Sequence, residues 1–323
     1  MRLLDLIAQS SPSQSALPRV GPLPSPDLFA EGVRACPLRL VLADDLTRCT
    51  TALAYAEGDR LSGCLDLVRM PSEHVWVEWA EAPRLEVLSD ILEVQIKPTV
   101  TGGRAGVLIS SDAPGRTGTM RTFWSTPDDR ACCAALITEF DLNRPIRDST
   151  SVADVFNGES ASITVSEESA FDDLLSHIRF RFDPACSDYY RSAKLPIDQQ
   201  SAVLCAALGS TAFNIPMLFA LFLLLAAKGA AQQRVVSPDR VNRIRRLSGK
   251  SELLEHVEVI SSLRARDASR TLIGAETRIG RRLHHVRGHL ARRGHNIFWR
   301  APHLRGNARL GVVRSRTVTL TFH

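Results

Sequence analysis

The residues best suited to chemistry in this chain lie near its C-terminus. From residue 277 to residue 323 the chain carries 11 Arg and 6 of its 9 His but no Asp or Glu. Guanidinium groups form paired hydrogen bonds with phosphate, and Phe298 and Trp299 offer flat surfaces on which unpaired bases stack. Ordinary protein surfaces mix both signs of charge, so a segment without carboxylates is typical of a surface that binds a polyanion. We therefore expect this segment to contact nucleic acid.

The candidate nucleic-acid contacts fall into two basic clusters. The first is a helical stretch, Asn242 to Lys250, that is closed by Gly249. A solvated helix with this glycine at its C-terminus explains the first cluster equally well. The second cluster is the Arg- and His-rich segment, in which Gly288 permits a tight turn. The candidate contacts are Arg243, Arg245, Arg246, Lys250, Arg281, Arg282, His284, His285, Arg287, Gly288, His289, Arg292, Arg293, His295, Trp299, Arg300, His303 and Arg305.

The charge distribution leaves a second interpretation open. Residues 233 to 323 hold 20 Lys and Arg against 6 Asp and Glu, whereas the rest of the chain has a net charge of −9. The basic segment is therefore also suited to pack against the acidic part of its own chain, or to form a solvated basic face. Only four of the 40 basic residues are lysine. This preference for arginine over lysine has two equally good explanations, which are a GC-rich genome and selection for phosphate contacts.

The histidines suggest two further kinds of site. Imidazole binds zinc, but no Cys or carboxylate accompanies these histidines, and Gly288 weakens a helix that would present two of them together. A metal-independent ribonuclease needs one neutral and one protonated imidazole on opposite sides of a phosphodiester, and spacing alone does not establish that geometry. We assign no catalytic residue, metal ligand or cofactor, and the sequence favours a binding protein over an enzyme. The histidines in question are His284, His285, His289, His295 and His303.

The elements that must position these residues indicate an α+β protein. Alternation of apolar and polar residues predicts strands in the N-terminal part. Apolar spacing near 3.6 residues predicts two helices between Asp27 and Cys64, on either side of Pro37, and charge order predicts a helix at residues 166–178. A basic helix is expected to begin at Ser237–Pro238–Asp239. The predicted strands are residues 71–79, 104–109, 119–124, 135–140, 178–182, 256–260, 296–300 and 316–322.

An uninterrupted apolar run of 11 residues, Met217 to Ala227, stands in the middle of the chain. A membrane span needs about 20 mainly apolar residues in one helix, so we favour a buried core helix over a span. Asn214 is placed near its N-cap and Pro216 in its first turn. We divide the chain into a flexible leader (1–26), an α+β domain (27–195), a buried apolar helical segment (196–232) and a basic nucleic-acid-contacting module with a β-hairpin (233–323).

Cysteine usage and the N-terminus predict a cytoplasmic protein. The seven cysteines are scattered and form no C-x-x-C pair, which is typical of reduced thiols. The first eight residues are too short an apolar stretch for a signal peptide. We therefore expect a cytoplasmic protein without a membrane partner.

Four segments carry a resemblance to a known family. His284-His285-Val286-Arg287-Gly288-His289 is similar to an H-x-x-R-G-H motif, and Phe298-Trp299-Arg300 follows it before a proline-containing strand. The stretch Asn242 to Lys250 is similar to an upstream basic segment, and Glu73 to Trp79 to a Trp-rich strand. In these features the chain resembles the second family of type V-A anti-CRISPR proteins and their phage, prophage and chromosomal relatives, mainly over its last 90 residues.

The resemblance implies a protein that suppresses production of a target protein. It would recognise the nascent or N-terminal peptide of that target, such as a type V-A CRISPR effector, and contact RNA or ribosome-associated messenger RNA through the basic module. Two alternatives remain open from the residues themselves. One is a histidine-dependent RNA nuclease or toxin, and the other is a structural phage or prophage protein whose basic segment packs on its own acidic domain.

Overall fold

The chain folds into two compact units. The larger comprises Met1–Leu223 and Gln233–Ile260, and the smaller comprises Leu224–Gln232 and Ser261–His323. The structure is a computed structural model, and it describes residues 1–12, 15–17, 21–56, 58–93, 103–113, 115–146, 152–162, 172–262, 282–286, 289–294, 296–300, 303–305 and 307–312.

Strands in the described residues form one large sheet and three small ones. The large sheet has nine strands in the order β10-β11-β3-β4-β5-β6-β7-β9-β8. The strands are β1 (Ser15–Leu17), β2 (Gly21–Leu23), β3 (Leu38–Leu42), β4 (His74–Ala80), β5 (Arg104–Ser111), β6 (Thr117–Ser125), β7 (Ala131–Asp141), β8 (Ala161–Ser162), β9 (Ile178–Phe182), β10 (Ala231–Val236), β11 (His256–Ser261), β12 (Arg282–Val286), β13 (His289–Arg293), β14 (Asn296–Arg300), β15 (His303–Arg305) and β16 (Asn307–Val312).

Helices alternate with these strands along the first 250 residues, which confirms the predicted α+β class. Within the described part of the chain, three short 3-10 helices lie at Pro26–Phe29, Leu65–Leu67 and Ala212–Asn214. The α-helices of the described residues are α1 (Leu3–Ala8), α2 (Ala30–Ala35), α3 (Asp44–Ala56), α4 (Gly58–Ser62), α5 (Glu81–Leu92), α6 (Val152–Phe156), α7 (Asp172–Leu175), α8 (Pro184–Ala193), α9 (Ile197–Gly209), α10 (Ile215–Ala226) and α11 (Asp239–Leu247).

The large sheet combines a parallel and an antiparallel part. Strands β11, β3 and β4 pair in parallel, and β3 connects to β4 through α3. From β4 onward, strands β5, β6, β7, β9 and β8 are all antiparallel to their neighbours. The predicted strands that correspond to β4 to β7, β9, β11 and β14 are confirmed, whereas the predicted strand at 316–322 lies outside the described residues.

Helices α2 and α3 lie on either side of Pro37, as predicted, but strand β3, which the prediction missed, stands between them. Its residues Leu40, Val41 and Leu42 are buried between two parallel neighbours. A strand covered on both faces is a continuous apolar run rather than an alternating one, so periodicity alone does not distinguish it from part of a helix. Helix α5, which had no counterpart among the sequence predictions, follows β4 directly.

One face of the sheet carries a row of buried residues that includes one charged side chain. The register places Glu78, Gly106, Phe123 and Cys133 side by side on four adjacent strands. A Cβ on Gly106 would lie 2.6 Å from the indole of Trp76, so only glycine leaves room for this ring. Helix α1 covers the row with the fully buried Leu3, Leu4 and Ile7.

Glu78 joins this helix to the sheet. Its side chain is fully buried, and its two carboxylate oxygens accept hydrogen bonds from the backbone N–H groups of Leu3 and Leu4, each at 2.9 Å. Trp76 Nε1 donates to the same carboxylate at 3.3 Å, and the Arg104 guanidinium pairs with it. A buried carboxylate is tolerated when its lone pairs are occupied in this way.

The opposite face is covered in part by α10. Every residue of α10 up to Leu224 is buried, and Phe219 packs edge-on against Phe140 of β7, with ring centroids 6.3 Å apart. The predicted buried apolar helix is therefore confirmed. Among the described residues, the helical stretch Ile197–Ala226 is long and apolar enough to cross a membrane by length and composition, but 67% of its most apolar part is buried within the protein. The core helix of a soluble protein has the same properties.

The structure divides the chain at other places than our predicted boundaries. Residues 1–26 include α1, which lies in the core of the larger unit rather than in a leader. Residues 233–260, which we assigned to the basic module, also belong to the larger unit, because β11 pairs with β3. The apolar segment 196–232 is split between the two units at Leu223. Core packing and strand pairing between distant segments, which local composition does not encode, produce these differences.

Candidate nucleic-acid interface

The smaller unit contains the predicted β-hairpin. Strands β13 and β14 pair antiparallel from His289 with Arg300 to Arg293 with Asn296, and Gly294 begins the tight loop between them. Gly294 has a φ of 61°, the left-handed conformation that two-residue hairpin loops require. The turn chemistry of the sequence therefore fixes the register, and the register decides which side chains share a face.

One face of the hairpin combines cationic and aromatic groups. Directly paired residues point to the same side of an antiparallel ladder, so Arg293, Phe298 and Arg300 share this face. Both arginines are exposed, and the Arg300 guanidinium carbon lies 5.5 Å from the centroid of the Phe298 ring. We call Arg293, Phe298 and Arg300 the hairpin face. A guanidinium over an aromatic ring holds a cation beside a stacking surface, which is an arrangement suited to phosphate and base together.

The other face of the hairpin is partly closed. Trp299 lies on it with Ile297, which is buried, and with Arg292, which is exposed. The indole Nε1 of Trp299 is buried and has no hydrogen-bond partner among the described residues. Arg292 Nε donates to the Gly294 carbonyl at 3.0 Å, so this arginine supports the loop. Phe298 is thus better placed than Trp299 to stack against a base.

A lysine that sequence reasoning missed lies beside the hairpin face. Lys228 follows α10, and its backbone forms a parallel bridge with Phe298. The side chain of Lys228 is exposed, and both residues belong to the smaller unit. The two residues are 70 positions apart, so no local pattern links them. The only sequence feature that could have drawn attention to Lys228 is its position as a single lysine directly after an uncharged apolar run.

The remaining candidates of the smaller unit are only partly described. The backbone places Arg282, His284 and His285 on β12, where His284 pairs with Arg305 of β15 and Val286 with His303. Strand β12 also pairs in parallel with β16. Arg281, Arg287, Gly288 and His295 lie outside the described residues. The metal and paired-histidine hypotheses rest on His284, His285, His289, His295 and His303, whose side chains are not described, so both hypotheses stay untested.

The first basic cluster belongs to the larger unit. Arg243, Arg246 and Lys250 are exposed on and after α11, and Arg246 forms an ion pair with Glu252 at 3.3 Å. Arg245 is half-buried, and its Nε donates to the Ser251 carbonyl at 2.6 Å, which secures the turn after the helix. Helix α11 ends as predicted before Gly249, which has a φ of 64°.

The other ionisable residues of the described part form no catalytic arrangement that we recognise. Asp44 and Asp45 occupy the first turn of α3, where negative charge stabilises a helix, and Asp129 lies in a turn with a φ of 57°. Burial raises the pKa of Cys49 to about 11 and that of Cys186 to about 12, so both are neutral thiols at pH 7. Within the described residues, no group of three or more His, Cys, Asp and Glu side chains is placed to hold a metal ion.

Comparisons of the whole chain with protein-family models, with curated proteins and with solved structures find no match.

Proposed function

We propose that this protein is a regulatory RNA-binding protein that contacts single-stranded RNA through the hairpin face and Lys228. The observation that carries the proposal is the combination, on one face of one hairpin, of two exposed arginines with an aromatic ring. Arg293 and Arg300 supply phosphate contacts, and Phe298 supplies a stacking surface. The excess of positive charge in residues 233–323 attracts the polyanion from a distance.

The resemblance described above supplies a more specific hypothesis within this proposal. In it, the protein suppresses production of a target protein by recognising the target's nascent peptide and holding its messenger RNA, and a type V-A CRISPR effector is one such target. The separation of the chain into an overall acidic part and a basic part is compatible with two partners of different charge. We place this activity in the cytoplasm, because nascent peptides and messenger RNA meet there in bacteria.

The test is a titration of the full-length protein with a labelled single-stranded RNA at several salt concentrations. The Arg293→Ala/Arg300→Ala variant removes two phosphate contacts. It is expected to reduce the slope of log K against log salt concentration by about 1.4. The matched control is Arg130→Ala/Arg191→Ala, which removes two exposed arginines from the larger unit and changes the net charge equally.

Phe298→Ala separates stacking from charge in the same assay. Loss of one stacked base costs about 1–3 kcal/mol of binding free energy and leaves the salt slope unchanged. Equal loss of affinity in the hairpin variant and the control variant would show that net charge alone drives binding, and would reject the hairpin face as the site. Shortened RNA in the same samples would favour the nuclease alternative instead.

A further inference from the structure

Helix α11 has its apolar residues on the outside. Val241, Ile244 and Leu247 are 48%, 60% and 85% exposed. They are three residues apart, and at 3.6 residues per turn they fall within one arc of about 120° on the helix surface. We call these three residues the outer stripe. Isolated exposed leucines are common, but a helical stripe of three is the pattern of a helix that packs against another helix.

The side of α11 that faces the protein is polar. Asn242 is the residue of this helix that is buried, and its amide forms two hydrogen bonds with Leu253, one to the carbonyl at 2.9 Å and one from the N–H at 2.8 Å. Arg245, on the same side, is tied to the Ser251 carbonyl. The helix is therefore held in place by polar contacts, and the outer stripe is left for another partner.

The charges around the outer stripe decide what kind of partner fits. In the helical projection Arg240 lies within the arc of the stripe and Arg243 borders it. Helix α11 carries four arginines and one carboxylate, Asp239, and Lys250 follows it. A second copy of the chain would bring equal positive charges together, so the stripe is not suited to self-association. An acidic partner gains from the same charges.

We propose that the outer stripe is a docking site for an amphipathic helix of another protein, whose apolar stripe is flanked by Asp and Glu. Nucleic acid offers planar bases and phosphates but no aliphatic ridge for Leu247. Helices that bind membrane surfaces commonly bury a large apolar face that includes aromatic residues. Helix α11 offers only three aliphatic side chains over nine residues, which is a smaller face. A helix laid along α11 buries the apolar side chains and meets the arginines with its carboxylates.

A synthetic peptide tests this proposal directly. The probe is a fluorescent peptide of Leu, Glu and Ala with its leucines at helical spacing over about five turns. A scrambled peptide of the same composition has equal charge but no stripe. Fluorescence anisotropy with the full-length protein measures both. We expect the striped peptide to bind more tightly than the scrambled one, and its binding to weaken as salt is added.

Two variants assign the binding to the outer stripe. Ile244→Ser/Leu247→Ser is expected to weaken binding of the striped peptide about tenfold or more, since both side chains are apolar contacts at the centre of the site. Leu28→Ser is the control, because Leu28 is 69% exposed elsewhere in the larger unit. All three substituted positions are exposed, so the thermal unfolding midpoints of both variants should match that of the unaltered protein.

Three results would overturn the proposal. The first is equal binding of the striped and scrambled peptides, and the second is full affinity of the Ile244→Ser/Leu247→Ser variant for the striped peptide. The third is a stripe-dependent interaction of another kind: binding to phosphatidylglycerol vesicles, binding to single-stranded RNA, or concentration-dependent dimerisation that the double variant abolishes. The RNA measurement also separates this site from the hairpin face, since Arg293→Ala/Arg300→Ala should leave peptide binding unchanged.

Discussion

Helices α10 and α11 follow one another in the chain and use their apolar residues in opposite ways. Helix α10 contains no charged residue, and its side chains are buried in the fold as far as Leu224. Helix α11 has five charged residues and exposes all three of its large apolar side chains. The difference teaches that apolar residues on a helix indicate a packing surface but do not identify the molecule that packs there. The apolar residues of α10 pack inside the protein, and we infer that those of α11 pack against another protein.

The protein also contains a charged residue in its core and an apolar residue at its surface. Glu78 is fully buried, whereas Leu247 is exposed. The enclosed carboxylate is stable because two backbone N–H groups, an indole and a guanidinium surround it. A buried charge thus organises the N-terminus of the protein, and exposed apolar groups mark a surface for a partner.

The largest expected effect separates the two helices by their contribution to stability. Phe219→Ala in α10 removes a fully buried ring that packs against Phe140, and it should lower the free energy of unfolding by about 4 kcal/mol. Leu247→Ala in α11 should change it by less than about 0.5 kcal/mol, because this side chain is already in water. Chemical denaturation measures both. A large cost for Leu247→Ala would mean that the outer stripe is covered by the protein itself.

The second prediction compares a buried with an exposed carboxylate. Glu78→Gln leaves Arg104 without its charged partner and places an amide NH2 donor against one of the two backbone N–H groups, since only one side-chain oxygen remains to accept, so it should cost about 3 kcal/mol. Glu86→Gln is the control, since the ion pair between Glu86 and Arg48 is largely exposed, and it should cost less than about 1 kcal/mol. Urea unfolding of the two variants gives both values. Similar costs would contradict the structural role of Glu78.

The third prediction concerns the polar attachment of α11. Asn242→Ala removes both hydrogen bonds to Leu253 and should cost about 1–2 kcal/mol. Because the helix has little apolar contact with the protein, we expect faster amide hydrogen exchange within residues 239–247 and unchanged exchange in β4. Ser248→Ala, which removes an exposed hydroxyl from the end of the same helix, serves as the control. Uniform acceleration across both units would show that α11 is not a separate local element.

The smallest effect is a pH dependence near the N-terminus. Burial lowers the pKa of His256 below its ordinary value, and the nearby Arg2 acts in the same direction, whereas the Leu254 carbonyl and the Glu78 and Glu258 carboxylates oppose the shift. The unfolded chain then binds the proton more readily than the folded one, so this residue lowers stability as pH falls through about 6.5 toward its folded pKa.

The variant His256→Gln should not show this loss of stability as pH falls. Thermal unfolding midpoints measured between about pH 7 and pH 5 test this. Asp5 acts in the opposite direction, because burial raises the pKa of its carboxyl, so the folded protein takes up that proton before the unfolded chain does as pH falls. A decline that persists unchanged in His256→Gln would assign it to another group.

The sequence predicts those elements whose patterns are complete within one segment. The alternation in Val75 to Trp79, the apolar run of α10 and the glycine after α11 each identify an element correctly. Strand β3 was missed because its burial depends on two parallel partners, one of them more than 200 residues away. In the candidate site, the sequence identified Arg293 and Arg300, and alternation along the predicted strand already puts Arg300 on the face of Phe298. The hairpin register was needed to put Arg293 on that face rather than on the face of Trp299.

The amino-acid sequence by itself determined the α+β class, the buried apolar helix and the concentration of positive charge toward the C-terminus, because composition and short-range periodicity suffice for these properties. The tertiary structure decided that Lys228 lies beside Phe298 and that Glu78 holds the start of α1. Both arrangements depend on contacts between segments about 70 or more residues apart in the chain, and such contacts leave no local pattern from which they can be read.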